Sequence, residues 1–400
     1  MCFKGTPNRP SSEQIASVYD KQGAYFNAHT EKRYTCYVVK CSDDHFAESI
    51  QVLADMMMKS LFDKRAYTKE KNVVMEETIL LNDKPTTILF NQMDQMVYRG
   101  SSYQHPIDTV EYHTGQHVLD YPAIVEMYRL HYRPDQMVLS VVSQLSLAAI
   151  LKAVKKTAFV RASSSQITCR TPSPNYSLIS QTGIQCSVFR KPGVQATYIG
   201  IGFRTCDQTN PDKYVLDLLK YVLGGYMSSR LYQLLRNDNG LTYTSNVYAE
   251  HYEHTGKFMI YASVDHRKII RTSNRQPGVI PIIIGMLNDL VKQGISADEL
   301  ATAKGFIQGN WTITAQDGDN ACIYNGLEYL LYDKPREIVP YMSLYDVHYK
   351  DISKDAVQQV IRRYFRDDHM NVVCVGEHVP SESAVFRECS KFRCASHYKS

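Results

Sequence analysis

A repeated signature constrains this chain more than any other feature. Arg133-x-Asp135-x-Met137 closes the first third, and Arg366-x-Asp368-x-Met370 stands near the C-terminus. Each copy follows a stretch with helical apolar spacing and precedes a run of β-favouring residues, Met137–Val142 and Met370–Val375. Both halves also begin with strand-like segments and continue through helices, so one α+β module used twice is the economical reading. The 400 residues suit two domains better than one core.

Segment by segment, "SSEQIASVYD" is a capped helix from Ser11 to about Tyr19, broken at Gly23. "YFNAHTEKRYTCYVVKC" alternates as two strands around a turn at Glu31–Lys32. Helices follow in "HFAESIQVLADMMM" and in "TKEKNVVMEETILL", with Thr68 as the expected N-cap. Residues 1–155 form the first module. Residues 156–184, rich in Ser, Thr and Pro between 157 and 183, form a linker. Residues 185–379 form the second module, and 380–400 are expected as a tail.

Composition excludes several classes. A hydrophobic fraction of 44% and a charged fraction of 22% describe a folded globular chain. The longest aliphatic stretch, Val279–Leu287, contains Pro281 and Gly285 and falls far short of a membrane span. A formal charge of +4 without a basic stripe gives no expectation of a nucleic-acid partner. Ten cysteines without a C-x-x-C pair favour free thiols and a cytoplasmic or other reducing compartment. No charged n-region followed by an apolar h-region opens the chain.

The informative chemistry lies in "KEKNVVMEETILL". Glu70, Val73 or Val74, Glu77 and Leu80 or Leu81 fall on one stripe of a helix, with Glu76 elsewhere. A carboxylate in a core-facing stripe needs a cation, a metal or strong donors. A rotated helix, with both glutamates at the edge of a solvated face, fits the same spacing. His113 and His117 have i, i+4 spacing but enclose Gly115 and lack a placed base. His251 and His254 are expected as surface residues of a hairpin, and His29 as a strand-face residue.

"FKGT", "FNAHTEKRYTCY", "HFAESIQVLADM", "EKNVVMEE", "YRPDQMVLSVV", "GGYMSSRLYQLLRNDNGLTY" and "GISADELATAKGFIQGN", in this order, resemble the zinc peptidases of the pitrilysin, insulysin and mitochondrial processing peptidase family. The resemblance implies an α+β fold of two homologous modules, each a mostly antiparallel sheet packed by helices, facing each other across a substrate cleft. It implies Zn²⁺ held by an H-x-x-E-H helix and a distal glutamate, with the motif glutamate as general base. Glu77 matches the distal zinc ligand and Glu70 the supporting glutamate two turns before it on the same helix. Arg236 and Tyr243 match the arginine and the oxyanion-donating tyrosine of the second module. Read without the family, Arg236 ends a helix and Tyr243 starts a strand. Asn27 and Ala28 match the edge-strand residues beside the scissile bond, so extended or unfolded peptides are the implied substrates and a second subunit of the same family a possible partner.

These 400 residues contain no H-x-x-E-H. Three arrangements stay open: a longer protein in which Met1 is internal, a non-catalytic peptide-binding or structural relative, and a motif supplied by a separate chain. The first is favoured, because a module without its first strands and motif helix exposes core surface. By itself the polypeptide is expected neither to hold zinc nor to hydrolyse peptides.

Overall fold

The computed structural model describes residues 1–107, 120–161, 175–272, 274, 276–332 and 338–395. The elements in chain order are α1 (Ser12–Lys21), β1 (Tyr25–Thr30), β2 (Thr35–Lys40), α2 (Phe46–Met58), α3 (Lys64–Asn82), α4 (Pro85–Val97), α5 (Tyr121–His131), α6 (Leu147–Val154) and α7 (Ala158–Arg161). Then come β3 (Gln185–Arg190), β4 (Ala196–Thr205), α8 (Asp212–Gly224), a π-helical turn (Tyr232–Asn237), β5 (Thr242–His251) and β6 (Gly256–Asp265). The chain closes with α9 (Val279–Gln293), α10 (Ala297–Thr314), α11 (Gly318–Leu330), α12 (Leu344–His348), α13 (Lys354–Tyr364), β7 (Met370–Gly376) and α14 (Glu382–Cys389). The fold is mixed α+β. No single helix among the described residues is long and apolar enough to cross a membrane.

The chain forms two compact units that interleave in sequence, unlike the contiguous modules 1–155 and 185–379 expected above. One contains residues 1–80, 107–173 and 314–341, the other 81–106, 174–313 and 342–400. Each half of the sequence thus gives a helix to the other unit: α4 joins the second, α11 the first.

In the second unit, five strands run in the order β3-β7-β4-β6-β5, parallel only between β3 and β7. Alternate residues of the inner strands therefore face opposite layers. Ile199, Ile201, Phe203, Val372 and Cys374 join the core built with α8, α9, α13 and α14. Met259, Tyr261, Val373 and Val375 face Leu89, Met93 and Val97 of α4. Gly200 and Gly202 of β4 make this second layer possible: a Cβ at Gly202 would stand 2.6 Å from Met93 Sδ, and one at Gly200 3.2 Å from Met93 Cε. Lys257 on β6 is buried beneath the same layer, its Nζ 2.5 Å from Asp94 on α4 and 3.2 Å from Glu250 on β5. Burial opposes this charge, but the two carboxylates outweigh it and hold the ammonium above its ordinary value.

Of the expected tail 380–400, the described residues 380–395 pack against the second unit's core. Ser381 caps α14, whose Val385 and Cys389 enter the core together with Phe392 and Cys394. Glu382 Oε1 accepts from Val188 N at 3.3 Å, occupying a donor on the outermost strand.

In the first unit, β1 and β2 form a two-stranded antiparallel sheet with Ala28 opposite Tyr37. Phe26 and Val39 pack with Ile15, Tyr19, Val52 and Met56 of α1 and α2. Helix α11 is fastened near both ends. Lys40 Nζ meets Asp317 at 2.9 Å and Asp319 at 3.2 Å, and Arg33 donates to the Leu331 carbonyl at 3.2 Å. Small residues spaced four apart let the helix lie close on residues 140–142: Gly318 approaches Val142, Cys322 Sγ donates to Ser140 O at 3.3 Å, and Gly326 approaches Ser140.

The repeated signature has one geometry in both copies. Arg133 grips Asp135 through Nε at 3.1 Å and Nη2 at 2.7 Å, beside the 3₁₀ turn Pro134–Gln136. Arg366 grips Asp368 through Nε at 2.8 Å and Nη2 at 2.5 Å, beside the turn Asp367–His369. Only the second leads into a strand. Residues 137–142, expected as a strand, belong to no ladder among the described residues. A strand needs a bonded neighbour, and here Tyr37, Val39, Met137, Leu139 and Val141 instead line a cavity of about 570 Å³.

Candidate functional site

Helix α3 starts earlier than its pattern suggests. Asp63 Oδ1 accepts from Arg65 N at 3.0 Å and Ala66 N at 2.8 Å, making Asp63 the cap, while Thr68 lies within the helix and donates to Lys64 O at 3.0 Å. Just before it, Phe62 takes a left-handed backbone (φ 48°), its carbonyl held by the Tyr121 hydroxyl at 2.6 Å. Helix α3 buries Tyr67 and Thr78.

The Glu70–Glu77 stripe lies on the exposed side rather than against a core, with Val73 46%, Val74 41% and Leu80 64% exposed. Periodicity identified the stripe but not what covers it. Glu70 has a partner, since Lys4 Nζ of the "FKGT" segment stands 2.6 Å from its carboxylate. Glu77 is exposed and has no ion pair or hydrogen bond among the described residues. The two carboxylates thus share a helix, but only one is neutralised.

On β1, Asn27 and Tyr25 project outward while Phe26 and Ala28 are half-buried. Asn27 Nδ2 donates to Tyr25 Oη at 2.8 Å, and Asn27 Oδ1 accepts from Ala28 N at 2.8 Å. The edge of β1 away from β2, which has no strand partner among the described residues, therefore carries a side-chain amide over one of its own backbone donors.

In the second unit, the helix expected through "SSRLYQLLRN" widens into the π-turn Tyr232–Asn237, a geometry frequent at functional sites. Arg236, in its last turn, stacks on two rings, 5.1 Å from Tyr232 and 4.6 Å from Tyr243. Its Nη1 donates to the Tyr243 carbonyl at 3.5 Å. Gly240, at φ +56°, turns the chain into β5. The β5–β6 register then shifts between Thr242 and Thr244, leaving Tyr243 as the bulged residue, 81% exposed. Thr242 Oγ1 is bonded to the carbonyls of Thr244, at 2.8 Å, and Ser263, holding the bulge from behind. The sequence reading missed Lys4, Tyr232 and Thr242. Of these, Tyr232 was accessible from its i, i+4 spacing to Arg236.

The other histidines separate. His113 and His117 lie outside the described residues. His254 packs its ring 4.4 Å from Tyr176, and His29 lies edge-on to Tyr34 at 5.9 Å. His251 is largely enclosed rather than a surface residue. Its Nδ1 is 3.3 Å from the Cys206 carbonyl, and burial holds the imidazole below its ordinary value.

Two family models cover more than half of the chain. "Insulinase (Peptidase family M16)" matches residues 1–109, and "Peptidase M16 inactive domain" matches residues 119–305. The chain belongs to the M16 family. Among the chain's relatives, an uncharacterized zinc protease of Bacillus subtilis is 28% identical over 373 residues, 92% of this chain and 85% of that one. An uncharacterized zinc protease of Rickettsia felis is 27% identical over 274 residues, 67% of this chain and 63% of that protein. The fold is shared with a protease from Helicobacter pylori (TM-score 0.80, 18% identity, 94% of this chain and 87% of that). It is also shared with a peptidase M16 inactive domain from Pseudomonas fluorescens (TM-score 0.71, 18% identity, 95% and 87%).

The donors in this M16 chain do not fit a protein-bound zinc, which takes at least three protein ligands. Glu77 is one exposed carboxylate, and among the described residues no three His, Cys, Asp or Glu side chains converge.

Proposed function

We propose that residues 1–400 act as a peptide-binding member of the M16 family that takes extended or unfolded chains and does not hydrolyse them by itself. The observation that carries this reading is the Arg236–Tyr243 pair. A tyrosine 81% exposed on a bulge, with an arginine from a π-turn over its ring, supports this reading because its ring and hydroxyl are open to a ligand. The roles proposed are hydrogen-bond donation to a peptide carbonyl by Tyr243 and orientation of its ring by Arg236. Independently of that pair, the outer edge of β1 at Asn27 and Ala28 is proposed as a place for main-chain pairing, which asks little of the ligand's sequence.

A second reading is a complete zinc peptidase, in which a helix bearing H-x-x-E-H from outside residues 1–400 docks on α3. The exposed Val73, Val74 and Leu80 around Glu77 favour it. Glu77 would then be the distal ligand, with Glu70 behind it, and a second M16 subunit is one source of such a helix.

The purified chain tests both. Metal analysis after dialysis against micromolar zinc should find no stoichiometric zinc. An unfolded, labelled polypeptide should bind saturably without chelator-sensitive cleavage. Stoichiometric zinc or chelator-sensitive cleavage would overturn the first reading.

A further inference from the structure

The repeated Arg-x-Asp signature leads into different surroundings in the two units. After Arg366 and Asp368, β7 is paired on both sides and every one of its residues is buried. After Arg133 and Asp135, residues 137–142 make no backbone-to-backbone hydrogen bond among the described residues, and none of them is buried. Strand β2 is bonded to β1 alone, so its other edge has no strand partner among the described residues. The cavity of about 570 Å³ is lined by every residue from 34 to 43 and from 136 to 143. A cavity facing one side of a strand meets alternate residues, so this consecutive lining means that it meets both segments along their edges.

The second unit shows what such a gap holds. There β4 lies between β6 and β7 and is antiparallel to both. The first unit repeats these directions. Strand β2 runs to Lys40, which meets Asp317 and Asp319 at the start of α11. Ser140 lies against Gly326 and Val142 against Gly318, so residues 137–142 also run towards the start of α11. Ile50 and Leu53 of α2 and Ile323 and Leu327 of α11 line the gap from either side, and a strand enclosed on both faces must be apolar on both. The charged lining residues, Lys40, Asp43 and Asp319, gather where β2 finishes. Two carboxylates against one ammonium favour a cationic flank there, at the beginning of an antiparallel guest.

We propose that an extended, apolar segment of an unfolded client chain enters this gap as a strand, antiparallel to β2 and to residues 137–142, in the position that β4 holds in the second unit. Unfolded chains expose the aliphatic runs that folded ones bury, and so present such a segment. Backbone pairing on two edges holds it, and the apolar walls select against charge within it. The proposal rests on the peptide-binding reading above but assigns the ligand a site other than Tyr243 and the outer edge of β1.

The test is hydrogen–deuterium exchange of the full chain with a synthetic peptide of the β4 sequence, Ala196–Thr205, carrying a pair of N-terminal lysines. The β2 amides not bonded to β1 and the amides of residues 137–142 should exchange fast without peptide and slow about tenfold with it. Alkylation of Cys36 and Cys322, which line the cavity, should slow in parallel. The same peptide with aspartate replacing Ile199 and Ile201 should protect neither segment. Arg236→Ala should leave the protection unchanged, which separates this site from the role proposed for Arg236. Protection confined to residues 236–244 and β1 would overturn the gap as a binding site and leave the peptide-binding reading standing. Protection of one segment only, slow exchange in both before peptide is added, or slowing that follows chain concentration, the sign of a second copy in the gap, would each overturn it as well.

Discussion

The guanidinium carbon of Arg236 lies over Tyr243, 4.6 Å from the ring centroid, and Arg236 Nη1 donates to the carbonyl of that residue. One side chain thereby contacts both the ring and the backbone of an aromatic residue that is 81% exposed. Arg236→Ala should weaken binding of an unfolded peptide about tenfold, as expected for losing one oriented charged contact, while leaving the urea midpoint nearly unchanged. Anisotropy of a labelled peptide reads the first, and equilibrium unfolding the second.

Thr242 should matter through Tyr243 rather than by contact with the ligand. Its hydroxyl is bonded to the carbonyls of Thr244 and Ser263, so Thr242→Val should loosen the bulge and weaken peptide binding, whereas Thr242→Ser should restore it. The same anisotropy titration distinguishes them, and equal losses for both variants would refute the role.

Much of the fold was legible in the sequence because it rests on local chemistry. The two Arg-x-Asp forks, the Ser11–Gln14 capping box and the β1–β2 hairpin are short-range arrangements. What was not legible depends on where distant segments pack. Nothing in "PTTILFNQMDQMV" says that it covers the second unit's sheet, although Gly200 and Gly202 mark a close approach. The helix of residues 382–389 was readable from Ser381 and the spacing of Val385, Cys389 and Phe392, but its short length and polar surroundings obscured it. Of the candidate site, the residue types were legible and the exposure was not. Spacing gives the α3 stripe without its cover, and "TYT" gives no sign of a bulge.

Close packing at Gly202 yields a stability prediction. Gly202→Ala places a methyl against Met93 Sδ and should cost about 1–3 kcal/mol. Met93→Ala should cost about 2–5 kcal/mol, and the double variant less than the sum, because the methyl then occupies part of the space vacated. Urea unfolding of the four proteins measures the coupling.

The buried ion cluster gives a second. Lys257→Met leaves Asp94 without its nearest cation and should cost about 3–5 kcal/mol, whereas Lys257→Met combined with Asp94→Leu should recover much of it. Thermal unfolding at neutral pH provides the comparison.

His251 predicts a pH dependence. Burial holds its imidazole below the ordinary value, so the unfolded chain takes up the proton more readily. Its contribution is complete above about pH 6.5 and is lost as pH falls below that, with a slope approaching 1.4 kcal/mol per pH unit. His251→Gln should flatten this part of the stability profile. His369, held low by burial in the same way, should retain a similar slope in that variant.

Peptide binding with the metal controlled is the most direct experiment. Residues 1–400 are titrated against a labelled unfolded polypeptide, once with excess chelator and once with zinc, and the product is checked for cleavage. The expected result is the same saturable curve under both conditions, an intact polypeptide, and a weaker curve for Arg236→Ala. Absence of binding, or cleavage that chelator abolishes, would contradict the proposed function.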